Sequence, residues 1–239
     1  MRATSQRSHK SQTALTKTLM GAALLTAAFL APPTALAHDD DEDHGPQAGD
    51  VQEVHALTGF DKIDIRGVYR LKVTVGEGFR VFTSGAPKEV KGMKVYRDGR
   101  ALVLDQKRDG KKVKGDKHGV WAEISLPALN SLVVSGVGTG DVIGVDAKVF
   151  EMDVQGVGEL EVSGRCDKLD AVMKGVGNIE AKELKCEQAD VWLKGVGAIS
   201  VYASDAVDVS AKGIGSVDVY GKPKSVEKSK GFLSGVTVH

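Results

Sequence analysis

The chain has no excess of charge of either sign, because 32 lysines and arginines balance 32 aspartates and glutamates over 239 residues. Residues 1–37 hold four of the basic residues and none of the acidic ones, which leaves 28 against 32 in the remainder. No basic field is therefore available for nucleic acid or for anionic lipid. Aromatic residues make up only 5%, and this scarcity beside 29 glycines is typical of turn-rich β structure with small side chains.

Motifs for catalysis are also missing. The sequence shows no Ser/His/Asp set, no histidine or cysteine spacing suited to zinc and no phosphate-binding loop. The glycine-rich run at 136–140 has no third glycine at dinucleotide spacing and no helix pattern after it, so it does not indicate a nucleotide site. These absences predict a protein that is not an enzyme and has no required cofactor.

The first 37 residues predict an export signal. A basic segment precedes an apolar stretch at Leu19–Leu30 that is too short to span a bilayer. Ala35-Leu36-Ala37 then supplies a small-x-small cleavage site, with no cysteine after it for a lipid anchor. We predict an exported protein, periplasmic or at the cell surface, with no integral membrane segment after cleavage. The alternative is an uncleaved membrane anchor.

Residues 38–50 combine dense acidic charge with almost no apolar content, which predicts a disordered tail. Two histidines bracket the acidic run, and such a cluster can hold a divalent metal loosely. The candidate ligands are His38, Asp39, Asp41 and His44. The alternative is a tail that only keeps the protein soluble.

Five Gly-Val/Ile-Gly tripeptides recur through the second half of the chain at steps of 18 to 20 residues. They begin at Gly136, Gly156, Gly175, Gly195 and Gly213. A repeat of two packed helices needs more than about 30 residues, whereas one coil of a β-solenoid fits in about 20. The period therefore predicts an all-β fold, a single-stranded β-helix with regular repeats over residues 132–220.

Apolar and polar residues alternate on both sides of each glycine pair, so equivalent residues should stack in columns ~4.8 Å apart. Each coil is predicted to contribute two short strands, with the apolar columns facing one interior. Residues 51–126 are predicted as capping strands in antiparallel hairpins, with a turn at Asp98-Gly99. The whole β-helix domain is expected to cover residues 51–239. The inward columns are Phe150/Leu169/Ala189/Val207, Met152/Ala171/Val191/Val209, Val154/Met173/Leu193/Ala211, Gly140/Leu160/Ile179/Ile199/Val217 and Val142/Val162/Ala181/Val201/Val219.

Three features resemble a known family of bacterial envelope proteins, the "putative auto-transporter adhesin, head GIN domain" family. They are the opening run Phe60–Ile65, the glycine repeats and the closing Tyr220-Gly221-Lys222-Pro223. The resemblance covers residues 54–224, and it implies a right-handed β-helix exported from bacteria. It brings no catalytic motif with it.

The outward positions of the repeat form charged columns. Like charges ~4.8 Å apart repel, so the acidic columns need relief from Ca²⁺ or another divalent cation, from pairing across columns or from water. Trp192 and Tyr202 are predicted outward, where an aromatic ring can stack on a sugar. The first acidic column is Glu151, Asp170, Asp190 and Asp208; the second is Asp141, Glu161, Glu180 and Asp218, interrupted by Ser200; a third, mostly cationic column is Gln155, Lys174, Lys194 and Lys212.

The two cysteines, Cys166 and Cys186, each lie nine residues before a glycine pair, so they should occupy the same position on adjacent coils. A separation near 4.8 Å lies within the Cα range of about 4.4–6.8 Å that a disulfide tolerates. An exported protein meets oxidising conditions. The spacing therefore predicts a disulfide, with two buried free thiols as the alternative.

These patterns favour a non-enzymatic envelope protein that presents a flat polar face to a cell-surface glycan or an envelope protein. Two other functions remain open. One is a polysaccharide lyase or hydrolase whose carboxylates act as acid, base or calcium ligand. The other is periplasmic metal binding through the histidine-containing tail.

Overall fold

The computed structural model describes residues 49–106 and 119–239. The predicted leader, most of the acidic tail and the lysine-rich segment at 107–118 lie outside the described residues. Within the described ranges, no helix has the length and apolar content needed to cross a bilayer.

Fifteen strands and one short helix make up the described part of the chain. Before the first glycine corner these are β1 (Val51–His55), β2 (Lys62–Arg66), β3 (Val68–Val75), β4 (Arg80–Gly85), α1 (Pro87–Gly92), β5 (Met93–Asp98), β6 (Ala101–Gln106), β7 (Val120–Leu126) and β8 (Ser131–Val134). After it come β9 (Val137–Val154), β10 (Val157–Met173), β11 (Val176–Leu193), β12 (Val196–Ala211), β13 (Ile214–Tyr220), β14 (Ser225–Lys230) and β15 (Ser234–Val238).

A β-solenoid occupies the second half of the chain, as the period predicts. Strands β9 to β12 stack in parallel, and each glycine corner aligns with the next one along the stack. Each of these strands is one continuous run of 16 to 18 residues between two glycine corners. The sequence had predicted two short strands in each coil. The coils differ in length, and bulges take up the difference, for example between Glu161 and Ser163.

The interior of the solenoid is filled by the predicted apolar columns, whose members are buried in every coil. The structure adds two inward rows that the alternation did not predict. One holds Val145 and Leu184, aligned through Gly164, and the other holds Cys166, Cys186 and Ala203. In β9 and β11 the inward positions step by three residues, from Val142 to Val145 and from Ala181 to Leu184, where bulges interrupt the register.

The first half of the chain mixes hairpins with further parallel stacking. The β5–β6 hairpin turns at Gly99 as predicted, and β4 pairs antiparallel with β1 and β7. In contrast, β2 pairs in parallel with β6 and β8, and β3 with β7 and β9. Gly67 lies between β2 and β3 and accepts a hydrogen bond from Val137 N at 2.7 Å, so it forms the corner beneath Gly136. The hairpins therefore flank a coil that already belongs to the stack.

Both glycines of each corner are fixed by the close approach of the neighbouring coil. Gly177 has a φ of +142°, and a Cβ there would lie 1.8 Å from Gly158 O. Gly175, with an ordinary φ, would place a Cβ 1.8 Å from Gly156 O. The repeat therefore needs glycine for stacking and not for a ligand.

A disulfide joins Cys166 of β10 to Cys186 of β11, as the spacing predicts, with Cα atoms 4.5 Å apart. The two residues are paired in register on adjacent coils and face the interior. The bond therefore ties two neighbouring coils of the solenoid to each other.

Replacing both cysteines by alanine is expected to lower the free energy of unfolding by about 3 kcal/mol, because the bond closes a loop of about 20 residues in the unfolded chain. Urea unfolding of the wild type and of C166A/C186A measures the difference. The wild type in reductant should fall to the same stability. Two titratable thiols in the denatured wild type, purified without reductant, would contradict the bond.

Candidate functional site

The first acidic column lies where the repeat predicts it. Asp170 aligns with Glu151 in the preceding coil and with Asp190 in the next, and Asp190 aligns with Asp208. Glu227 of β14 extends the column at the end of the stack. The residues on either side of the four predicted carboxylates are buried, so the column occupies the outer face of the sheet.

A lysine relieves the repulsion between two of these carboxylates. Lys168 Nζ lies 3.1 Å from Asp170 Oδ1 and 2.6 Å from Asp190 Oδ2, so one ammonium bridges two coils. The hydrogen bonds to Asp190 and then to Asp170 raise the pKa of Lys168, which keeps the ammonium charged. The sequence did not single out Lys168, although it lies two residues before Asp170 on the same face of the strand.

Trp192 lies beside this bridge in a shallow groove of about 450 Å³, here called the Trp192 groove. The indole is half-buried on the outer face, in register with Val172 below it and Ser210 above it. Lys168 and four carboxylates complete the polar part of the wall. These are Glu151, Asp153, Asp170 and Asp190. The structure thus brings together four predicted residues: Trp192 and three members of the acidic column.

Members of the other charged columns also have polar partners. Lys174 Nζ lies 2.8 Å from Asp153 Oδ2, and Ser200 Oγ donates to Glu180 Oε2 at 2.7 Å. His239 Nε2 is 3.2 Å from Asp218 Oδ1. The contact of Lys174 with Asp153 is pairing between columns, whereas Ser200 and Glu180 belong to the same column.

Tyr202 lies apart from the Trp192 groove, in a second groove of about 520 Å³, here called the tyrosine groove. Tyr220 aligns with Tyr202 on the next coil, and its ring stacks on His239 with centroids 4.6 Å apart. Lys185 Nζ lies 4.5 Å from the centre of the Tyr202 ring, a cation–π contact. Tyr202 is therefore already partnered by a cation, unlike an open stacking platform.

Of the rings that line the tyrosine groove, only Tyr202 was predicted from the sequence as a binding residue. Tyr220 and His239 were missed. A signal for Tyr220 was present: it follows Tyr202 by 18 residues, the same step that separates the last two glycine corners. The last predicted member of the acidic column, Asp208, does not line the Trp192 groove.

The predicted metal ligands His38, Asp39, Asp41 and His44 lie outside the described residues. Within residues 49–106 and 119–239, histidine, cysteine, aspartate and glutamate side chains form no group of three that could hold a metal ion. Several described carboxylates have lysine or arginine as the counter-ion, as Asp146 does with Arg165 at 2.6 Å.

Comparison with known proteins places the chain among adhesin-like structures. A family model described as "Putative auto-transporter adhesin, head GIN domain" matches residues 59–223. A solved "putative adhesin" from Bacteroides fragilis is 23% identical with a TM-score of 0.63, covering 81% of this chain and 99% of its own. One from Parabacteroides merdae is 12% identical with a TM-score of 0.48, covering 81% and 98%. No protein with a curated description matches. The first of these structures shows the same fold.

Proposed function

Because the chain belongs to the family described as "Putative auto-transporter adhesin, head GIN domain", we propose that it is an exported, non-enzymatic binding module for a cell-surface glycan. The Trp192 groove is the observation that carries this proposal. It places an aromatic ring, an ammonium and several carboxylates on one open face of a rigid stack. Side chains on paired strands are held more firmly than side chains on loops, so the face is preorganised for binding.

The groove offers the two kinds of contact that a sugar requires. The half-buried ring of Trp192 presents an apolar surface to the C–H face of a pyranose, and aromatic anchors dominate many binding surfaces. Lys168 can donate hydrogen bonds to hydroxyl groups, and Asp170 and Asp190 can accept them. Four carboxylates line the wall, so a neutral glycan fits better than an acidic one, which would meet like charge.

We propose that binding at this face needs neither a metal nor a chemical step. Between Asp170 and Asp190, the position where a bridging cation would be most useful is taken by the Lys168 ammonium. Catalysis requires groups in unlike environments that converge on one concave site. The carboxylates here repeat from coil to coil along an open outer face, which supports recognition over turnover.

Replacing Trp192 by alanine is expected to weaken glycan binding about thirtyfold or more, the usual effect of removing an aromatic anchor. A glycan array would identify a neutral ligand, and titration calorimetry would then compare the variants. The ring stands on the outer face, so W192A should unfold at nearly the wild-type temperature. W192F should retain part of the affinity, because it keeps a ring at the same position.

Tyr202→Ala is the matched control, because it removes an aromatic residue from the tyrosine groove. It should leave binding at the Trp192 groove unchanged, and so should added chelator. Equal losses in W192A and Y202A, or no neutral glycan bound at all, would contradict the proposal. If the wild type cleaved the glycan and D170N or D190N did not, the face would instead belong to an enzyme.

A further inference from the structure

A ridge of exposed apolar side chains runs along one corner of the solenoid. It consists of the middle residue of each Gly-Val/Ile-Gly tripeptide, and the members align in register from coil to coil. Each is 42% to 50% exposed, whereas other valines and isoleucines, such as Val162, Ile179 and Val191, are buried in the interior. We call this set the apolar ridge: Val137, Val157, Val176, Val196 and Ile214.

The ridge grows more apolar toward the carboxyl end of the stack. Leu233 is 59% exposed, and its backbone oxygen accepts a hydrogen bond from Gly215 N at 3.1 Å, which places it against the last corner. Phe232, next to it, is fully exposed at 102%. A phenylalanine without any burial at the end of a continuous apolar row marks an interaction surface.

Lysines accompany the ridge at this end. Lys194 and Lys212 each lie two residues before a ridge residue. Lys230 lies two residues before Phe232 and is in register with Ala211, next to Lys212. All three are exposed. No carboxylate within the described residues pairs with any of them, whereas Lys174, one coil earlier, is held by Asp153 at 2.8 Å. These three ammonium groups therefore have no counter-ion from the described chain.

Beside the last two corners, the flanking columns hold no acidic residue. On one side the outward residues are Ser210 and Ser229, and on the other Ala198 and Ser216. The carboxylates of the same columns, Asp153 and Glu159, belong to earlier coils. The carboxyl-terminal end of the ridge is therefore both apolar and positively charged. We call it the basic-apolar corner: Val196, Ile214, Phe232, Leu233, Lys194, Lys212 and Lys230.

We propose that the basic-apolar corner docks this protein on an anionic lipid surface. Apolar side chains that protrude from a narrow edge can enter the boundary between headgroups and acyl chains. Lysines on long stems beside them can keep their charge among lipid phosphates. A second copy of the chain fits less well, because the same lysines would face each other and the corner offers no carboxylate to pair with them.

The overall composition concealed this surface, because 28 basic against 32 acidic residues indicated no basic field. Stacking changes the local balance. Lys194 and Lys212 are 18 residues apart in sequence but occupy equivalent positions on adjacent coils, where equivalent residues lie roughly 4.8 Å apart. The corner is thus a local feature of the fold, at the edge of the outer face that carries the Trp192 groove.

The proposal is tested by co-sedimenting the exported protein with vesicles of phosphatidylcholine and phosphatidylglycerol, and with vesicles of phosphatidylcholine alone. The wild type should bind the anionic vesicles and release them as salt is raised. K194Q/K212Q should lower the partition coefficient about thirtyfold, since each lysine near an anionic surface contributes roughly fivefold. F232S should lower it about tenfold, because the exposed ring no longer enters the bilayer.

K88Q/K148Q is the matched control, because it removes the same charge from exposed lysines elsewhere. It should bind like the wild type. All variants retain the lysine-rich segment at 107–118. A difference in vesicle binding between the two double variants therefore reports on the basic-apolar corner. Equal binding to neutral vesicles, or equal losses in both double variants, would overturn the proposal. A dimer in sedimentation velocity that F232S dissociates, without vesicle binding, would assign the corner to a second copy instead.

Discussion

A chain carrying Gly177→Ala is expected to fail to fold into the stacked solenoid. The new Cβ would lie 1.8 Å from Gly158 O, where real Cβ contacts stay beyond 3.0 Å, so two coils would have to separate. The φ of +142° adds backbone strain for any residue with a side chain. A cost of at least about 4 kcal/mol is expected, a large share of a typical folding free energy. Circular dichroism and urea unfolding measure the loss.

Gly78→Ala is the control for this substitution. A Cβ at Gly78 meets nothing within 4 Å, and its φ lies outside the left-handed region. Removal of the same degree of backbone freedom should therefore leave stability unchanged or slightly raised. A G177A protein with wild-type unfolding would show that the coils can part at the corner without loss.

Ile179→Asp is expected to abolish folding as well, for a different reason. Ile179 is 1% exposed and stacks between Leu160 and Ile199 in the inward columns. A carboxylate there would be buried without a counter-ion, which costs about 3–5 kcal/mol beyond the lost apolar contacts. The protein should accumulate as insoluble or protease-sensitive chain, and limited proteolysis against the wild type measures this.

Val176→Asp is the matched control, since it places the same side chain on the apolar ridge of the same coil. Val176 is 50% exposed, so the carboxylate would remain hydrated and stability should change by less than about 1 kcal/mol. If V176D and I179D unfolded alike, the assignment of inward and outward positions would be wrong.

The core of the solenoid could be predicted from the sequence because two periodicities agree there. The alternation predicts which residues face inward, and the step of about 20 residues predicts which of them stack. Leu160, Ile179 and Ile199 could therefore be aligned from the sequence alone. The pairing of Cys166 with Cys186 followed from the same alignment. These features depend on backbone geometry that every coil repeats.

What the sequence did not predict depends on irregularity. The coil at Gly67 has Tyr69 where later corners have a second glycine, so it escaped the repeat pattern. The inward row through Leu184 follows bulges that alternation does not register.

The candidate site was anticipated in part for a related reason. The repeat predicted that Asp170 and Asp190 align on adjacent coils, because the register depends on the backbone alone. The Lys168 bridge depends on how a long side chain bends between coils, and no periodicity encodes that.

The direction of the hydrogen bonds between coils determines how the protein would carry a load. Val176 N donates to Gly156 O at 2.9 Å, and Val196 N donates to Gly175 O at 2.9 Å, so these bonds point along the stack. Tension in that direction would separate the coils one after another, beginning at an end of the stack. The bond between Cys166 and Cys186 joins β10 to β11 covalently, so such tearing would halt there. Used as a tether, the protein would yield at its ends and keep its centre intact.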